Sequence, residues 1–360
     1  MEPFERIRYP LMAMGMLALL AAMWAGLLRM GWGWPILRPT LPMAHGPLMI
    51  SAFLGTVIGV ERAVAFSAQG ANYRWTYLGP LLTGIGGVAL IIGLPIGATL
   101  VTLGSLMLVL VFGLILKMHT APYTITMAIG AALWLVGNIL WLFGWPVYSV
   151  VYWWMGFLIL TIAGERLELG RILRLSKAPR TLFTLATGLF LLGLVVLLFN
   201  FNAGVRLTGA GMVTLALWLV RYDIARFTVK KTGLTRFIAV CLISGYVWLG
   251  IGGLLALYYG GVSAGFAYDA ILHAVLVGFV MSMIFGHAPI IFPAVLNKPM
   301  AYSPSFYTHL ALLQLSLLLR IYGDLTISLS VRQWGGLLNA VAILLFIANT
   351  VWAVLSTRNK

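Results

Sequence analysis

Two histidines, His273 and His287, lie fourteen residues apart in the apolar stretch Tyr268 to Val295. At 100° per residue that spacing falls about 40° short of four full helical turns, so both imidazoles share nearly one face. Their separation along a helix axis is roughly 21 Å, which puts one towards each surface of a bilayer. Ionisable side chains inside a membrane are costly and mark functional positions by default. A neutral imidazole is also the commonest haem or metal ligand. Pro289 and Pro293 follow at once and predict an end or break of the helix.

The elements that position these histidines follow from composition. The 360 residues are 62% hydrophobic and 9% charged, with a mean hydropathy of +1.02. The expectation is an all-α, polytopic membrane protein whose helical stretches each cross the bilayer. The single cysteine, Cys241, excludes an intramolecular disulfide, a CxxC site, covalent c-type haem and a cysteine-ligated cluster. A net charge of +15 invites a nucleic-acid reading. Basic residues in cytoplasmic loops explain it better, so the expected partner is the lipid bilayer and not nucleic acid. The first apolar run has no clear small-residue cleavage site and reads as a helix.

Twelve spans are expected, near 9–29, 44–66, 76–93, 95–117, 122–143, 147–167, 181–199, 204–222, 234–258, 267–289, 306–323 and 334–355. Only Leu94 separates Gly93 from Pro95, between the third and fourth. Connections are short, so residues 1–360 read as one transmembrane domain. With the N-terminus in the cytoplasm, eighteen Lys and Arg fall inside and five outside. The inner set includes Arg62, Arg166, Arg171, Lys231, Arg358 and Lys360; the outer set is Arg29, Arg38, Arg206, Arg320 and Arg332. That bias predicts a cytoplasmic (inner) membrane protein with both termini cytoplasmic. It divides the histidines into an outer pair, His45 and His273, and an inner trio, His119, His287 and His309. Trp24, Trp32, Trp34, Trp75, Trp141, Trp145, Trp153 and Trp154 mostly fall at span ends and read as an interfacial belt.

Spans two, six and ten align on Phe53, Phe157 and Phe279. Ile58, Ile162 and Ile284 then coincide, as do Glu61, Glu165 and His287. The alignment predicts a three-fold pseudo-repeat of four-helix units, although apolar helices also align with one another easily.

The outer pair could hold one b-type haem without a covalent motif, or could simply make interhelical hydrogen bonds. Gly46 and Gly278 would let a helix or a flat macrocycle approach closely. The inner trio has the residue type to hold copper or zinc, but His119, at a loop edge in His-Thr-Ala-Pro, reads best as water-facing. Glu61-Arg62 and Glu165-Arg166, at inner helix ends, fit either proton relay or plain headgroup anchoring, with arginine reaching to the interface. Glu168 reads as anchoring.

Twelve spans, cytoplasmic termini, a repeated four-helix unit and histidines in spans two and ten resemble subunit I of the haem–copper oxidases. More narrowly, the chain resembles the NnrS-type membrane proteins, which contain haem and copper and are associated with the response to nitric oxide. In motif the likeness rests on His45-Gly46-Pro47-Leu48-Met49 and on the segment His273 to His287. The oxidases carry an adjacent His-His pair in span seven and a His-x-His in span ten. This chain has neither, so no oxygen-reducing binuclear centre is implied. The resemblance implies a haem-binding protein of nitrogen-oxide or redox metabolism, with His45 and His273 as haem ligands and a small gas or redox partner. The competing class is a secondary transporter or permease, whose site would lie at the midplane, often on broken helices.

Overall fold

The computed structural model describes residues 6–67 and 70–356. Arg358 and Lys360, counted above among the inner basic residues, lie outside the described residues. The protein is an all-α polytopic membrane protein, and no strand occurs among the described residues. In lipid each backbone N–H and C=O must be satisfied within its own segment, which is why such apolar stretches become helices. The helices are α1 (Arg8–Arg29), α2 (Gly55–Ser67), α3 (Leu78–Ile92), α4 (Ile96–Met118), α5 (Pro122–Leu142), α6 (Val147–Leu169), α7 (Lys177–Leu197), α8 (Phe201–Tyr222), α9 (Ala225–Thr228), α10 (Gly233–Tyr259), α11 (Gly265–His273), α12 (Ser282–Leu296), α13 (Phe306–Leu325) and α14 (Leu329–Ser356). A π-helical stretch, Pro47–Leu54, leads directly into α2, and a second, Ala274–Met281, joins α11 to α12.

Among the described residues, eleven helical stretches are long and apolar enough to cross a membrane. The remaining expected span is the helix α13, which carries Gln314, Arg320 and Asp324. The close pair α3 and α4 is separated by Gly93, in the left-handed conformation at φ +76°, followed by Pro95. Glycine closes α3 there at no steric cost, and proline then starts α4. The break expected at Pro289 and Pro293 is absent, because α12 continues through both to Leu296. The two prolines are four residues apart and share one face, and within membranes neighbouring side chains and local adjustment can satisfy the carbonyls they free.

The chain divides into two compact units. The first is Met1–Phe157 with Ile291–Asn297. Leu11, Met12, Val60, Ala63, Tyr77 and Val295 form one of its buried clusters. The Tyr9 hydroxyl donates to the Leu296 carbonyl at 3.0 Å. Helices α3 and α4 meet across glycines: a Cβ at Gly86 would lie 3.0 Å from the Gly97 carbonyl, and one at Gly104 3.0 Å from that of Gly79. Small residues let apolar helices approach closely where lipid supplies no hydrophobic drive. Trp153 and Trp154 do not join the interfacial belt. Both are buried, and the Trp154 indole donates to Asn138 Oδ1 at 2.9 Å. The same oxygen accepts from Ser51 at 3.0 Å, and Ser51 Oγ accepts from Trp134 at 3.0 Å. A buried indole N–H needs such an acceptor, and this network supplies it.

The second unit is Leu158–Ile290 with Lys298–Lys360. Helices α8 and α10 touch at Gly209 and Gly253, where a Cβ on either would fall 2.7 Å from the other's carbonyl oxygen. Helices α13 and α14 close on each other at Gly323 and Gly335. Gly278, expected to admit a helix or a macrocycle, packs under Trp248 of α10, whose Cγ would lie 2.4 Å from an added Cβ. Its role is helix packing.

Candidate functional site

The buried charged side chains of the second unit gather around the two span-ten histidines. At His273, Asp269 lies four residues back on α11. Arg320 of α13 grips its carboxylate with both forks, Nε to Oδ2 at 2.8 Å and Nη2 to Oδ1 at 2.9 Å. Arg332 of α14 reaches the same Oδ1 at 3.1 Å and Asp324 Oδ1 at 3.2 Å. Its guanidinium also lies over the Phe266 ring, 5.1 Å from the centroid. The glycines set this geometry. A Cβ at Gly335 would stand 2.5 Å from the Arg320 nitrogen, and one at Gly323 2.4 Å from that of Arg332. Close helix backbones thus bring both arginines onto the aspartates. Asp269, Arg320 and Asp324 are all buried.

Hydrogen bonding fixes the state of the ring. His273 Nδ1 lies 2.9 Å from the Asp269 carbonyl oxygen, which can only accept, so Nδ1 carries a proton. Nε2 lies 3.2 Å from Arg320 Nη2, which can only donate, so Nε2 supplies a lone pair. The imidazole is neutral. His287 repeats the pattern: Nδ1 donates to the Met283 carbonyl at 2.7 Å, and Nε2 accepts from Arg166 Nη2 at 3.0 Å. Around it, Glu165 and the buried Asp223 add negative charge. Asp223 follows α8 and accepts at Oδ1 from the Ala225 N–H at 2.7 Å. Burial raises its pKa above the usual value, an effect offset in part by Arg166, the Ala225 N–H and the Tyr246 hydroxyl.

In the first unit, His45 Nδ1 donates to the Ala22 carbonyl of α1 at 2.7 Å. Gly26 makes room for the ring: a Cβ there would lie 2.8 Å from His45 Cε1. His45 and His273 therefore share two local features. Each directs Nδ1–H to a backbone carbonyl, and each stands at the entrance to an eight-residue π-helical stretch. Span six lacks such a stretch, since α6 is continuous.

The other histidines are held separately. His119 is exposed, with Nε2 2.5 Å from the Tyr123 hydroxyl. His309 is buried, and its Nδ1 accepts from the Asn349 amide at 3.0 Å. Phe285, Phe306, Phe237 and Phe346 surround it, with ring centroids at 4.8 to 5.9 Å. With Nδ1 accepting, the proton of the neutral ring sits on Nε2, the wrong state for metal ligation there. Among the described residues no three His, Cys, Asp or Glu come together in a group that could hold a metal ion. Glu61 and Arg62 are partly buried at 3.9 Å, with Arg62 over the Phe112 ring at 5.8 Å, an anchoring arrangement.

Sequence reasoning singled out the histidines and missed Asp269, Arg320, Arg332, Asp324 and Asp223. A signal was available. The chain has eight acidic residues, of which Asp223, Asp269 and Asp324 are the only aspartates, and all three are buried. Asp269 also stands four residues before His273, on the same helical face.

No curated protein and no solved structure matches the chain. A family model described as a domain of unknown function, DUF8744, matches residues 8–355. That match spans nearly the whole sequence, and the chain belongs to the DUF8744 family.

Proposed function

We propose that the protein is a haem-binding integral membrane protein of nitrogen-oxide or redox metabolism, with His45 and His273 as iron ligands. The observation that carries this reading is the shared environment of the two rings. Ligating histidines typically anchor the other ring N–H on a carbonyl or carboxylate, which fixes the tautomer and turns the second nitrogen towards the metal. π-Helical stretches within helices are frequent at functional sites. Both rings have both features. Nδ1 protonation would make Nε2 the ligating nitrogen of each ring, and Gly26 admits the His45 ring beside α1. At His273 the Nε2 lone pair faces Arg320 Nη2 at 3.2 Å, so an iron held there would require that guanidinium nitrogen to move away. Bound haem would supply one-electron chemistry. The chain's own residues hold the imidazoles neutral and oriented. Copper is left out of the proposal because, among the described residues, His119, His287 and His309 do not come together in a group that could hold it. The positive-inside bias supports an inner-membrane protein with both termini cytoplasmic.

The test is a visible spectrum of purified protein made with ample haem. Wild type is expected to give a Soret band, which His45→Ala and His273→Ala each abolish or shift and His119→Ala leaves in place. A wild-type protein without a Soret band would overturn the reading.

A second reading, a proton-linked permease, is favoured by one observation. Both span-ten histidines are neutral acceptors facing an arginine, close to buried carboxylates, an arrangement suited to moving protons. Proton uptake by proteoliposomes that depends on His287 and on an added solute would favour it over the haem reading.

A further inference from the structure

The carboxyl group of Asp324 is fully buried, no N–H donates a hydrogen bond to either of its oxygens, and it lies against the carboxyl of Asp269. Its neighbour Asp269 is richly supplied. Asp269 takes both forks of Arg320 and the nearer arm of Arg332, and His273 Nδ1 stands 3.3 Å from its Oδ1. The Arg332 Nε lies 3.2 Å from Asp324 Oδ1, close enough for charge attraction, but this N–H is itself without a hydrogen-bond partner. Two carboxyl groups thus share two guanidinium groups, and the sharing is unequal. An ionised carboxylate buried without donors is far more expensive than a neutral acid in the same place. Two adjacent carboxyl groups also resist joint ionisation.

We infer that Asp324 is a proton-binding site, a buried carboxyl that holds one exchangeable proton beside the Asp269–Arg320 clamp. The bound species is the proton itself. Water or hydronium delivers it, an O–H bond forms on one Asp324 oxygen, and the acid returns it to water on release. The charged groups facing Asp324 are Arg320 on its own helix, Asp269 from α11 and Arg332 from α14. Asp324 is the second-last residue of α13, which ends at Leu325. Proton uptake at Asp324 leaves Arg332 with Asp269 as its sole carboxylate and adds one positive charge next to the His273–Arg320 pair. This inference does not depend on haem.

Because the chain contains only three aspartates, carboxyl-¹³C labelling of aspartate isolates them spectroscopically. The experiment is infrared and ¹³C NMR titration of full-length labelled protein in lipid nanodiscs, without added haem. At neutral pH the expected result is a protonated-carboxyl signal that shifts on transfer to D₂O. It should persist in Asp223→Asn and disappear when Asp324→Asn is added to that variant. Absence of any protonated aspartate signal in wild type overturns the inference, whether or not the variants fold. So does loss of the signal in Asp223→Asn, or its survival in the Asp223→Asn/Asp324→Asn double variant. Should Asp324→Asn fail to fold, persistence of the signal in Asp223→Asn with Arg332→Gln raising its apparent pKa supports the assignment, and an unchanged titration in Arg332→Gln overturns it.

Discussion

Arg320 Nη2 lies 3.2 Å from His273 Nε2, and since a guanidinium can only donate, the imidazole must accept. One side chain of α13 therefore sets the tautomer of a histidine on the neighbouring segment while holding Asp269 with both forks. Removing it leaves the buried Asp269 carboxylate with Arg332 as its remaining guanidinium partner. Arg320→Met is expected to destabilise the protein by about 3–5 kcal/mol, the usual loss when one partner of a buried ion pair is removed. Arg320→Lys should recover part of this, since a lysine offers one point charge and cannot fork. Unfolding in detergent measures both. Arg320→Met within experimental error of wild type would remove the clamp from the account.

Close packing of α13 and α14 is the means by which the arginines reach the aspartates. Gly335→Ala puts a Cβ 2.5 Å from the Arg320 backbone nitrogen, where only movement of the helices can relieve it. Overpacking of this kind costs about 1–3 kcal/mol. If the geometry is right, Gly335→Ala lowers stability and also moves the His273 imidazole resonances seen by NMR. Gly188, which has open space around its Cβ position, is the control, and Gly188→Ala should do neither.

Orientation is checked by reporter fusions. Fusions after Pro179 and after Lys231 should both report the cytoplasm, and one near Tyr258 should report the opposite side. The motive is the eighteen-to-five distribution of basic residues. An outer signal from either of the first two would reverse the assignment of His45 and His273 to the outer surface.

Much of the fold was legible because the bilayer leaves few choices. Long apolar runs must be helices, and their ends fall within a few residues of expectation except in span ten, which runs on to Leu296, and span twelve, which already starts at Leu329. The π-helical stretches after His45 and His273 were not legible, because an extra residue per turn leaves no compositional trace. Pro289 and Pro293 misled for a related reason. In water a proline pair ends a helix, whereas here the chain has no better way to satisfy its backbone. At the site, the histidines stood out as rare polar residues in apolar runs. Their partners did not, because Arg320 and Arg332 read from sequence as ordinary outer-loop charges and Arg166 as an inner-end anchor. Only contact between helices reveals that they pair with buried aspartate or histidine.

Asp223 gives a pH dependence with a definite sign. It lies just beyond the span Phe201–Tyr222, and burial raises its pKa above the usual 3.8, with Arg166 offsetting part of the effect. A carboxyl whose folded pKa exceeds its unfolded one binds protons more tightly when folded. Its stabilising contribution is complete below the unfolded value and is lost as pH rises through the folded value. Wild-type protein should therefore lose stability over the window that opens near pH 4 and closes above the raised pKa. Asp223→Asn keeps the acceptor for the Ala225 N–H but cannot ionise. Its stability relative to wild type should accordingly increase as pH rises through that window, and the two should converge at acid pH. The measurement is chemical unfolding of both proteins in the same detergent from pH 4 to pH 8, read as the difference between them so that other titrating groups cancel. A difference that is constant with pH, or that grows towards acid, would mean that Asp223 stays ionised in the fold and that its pairing with Arg166 outweighs its burial.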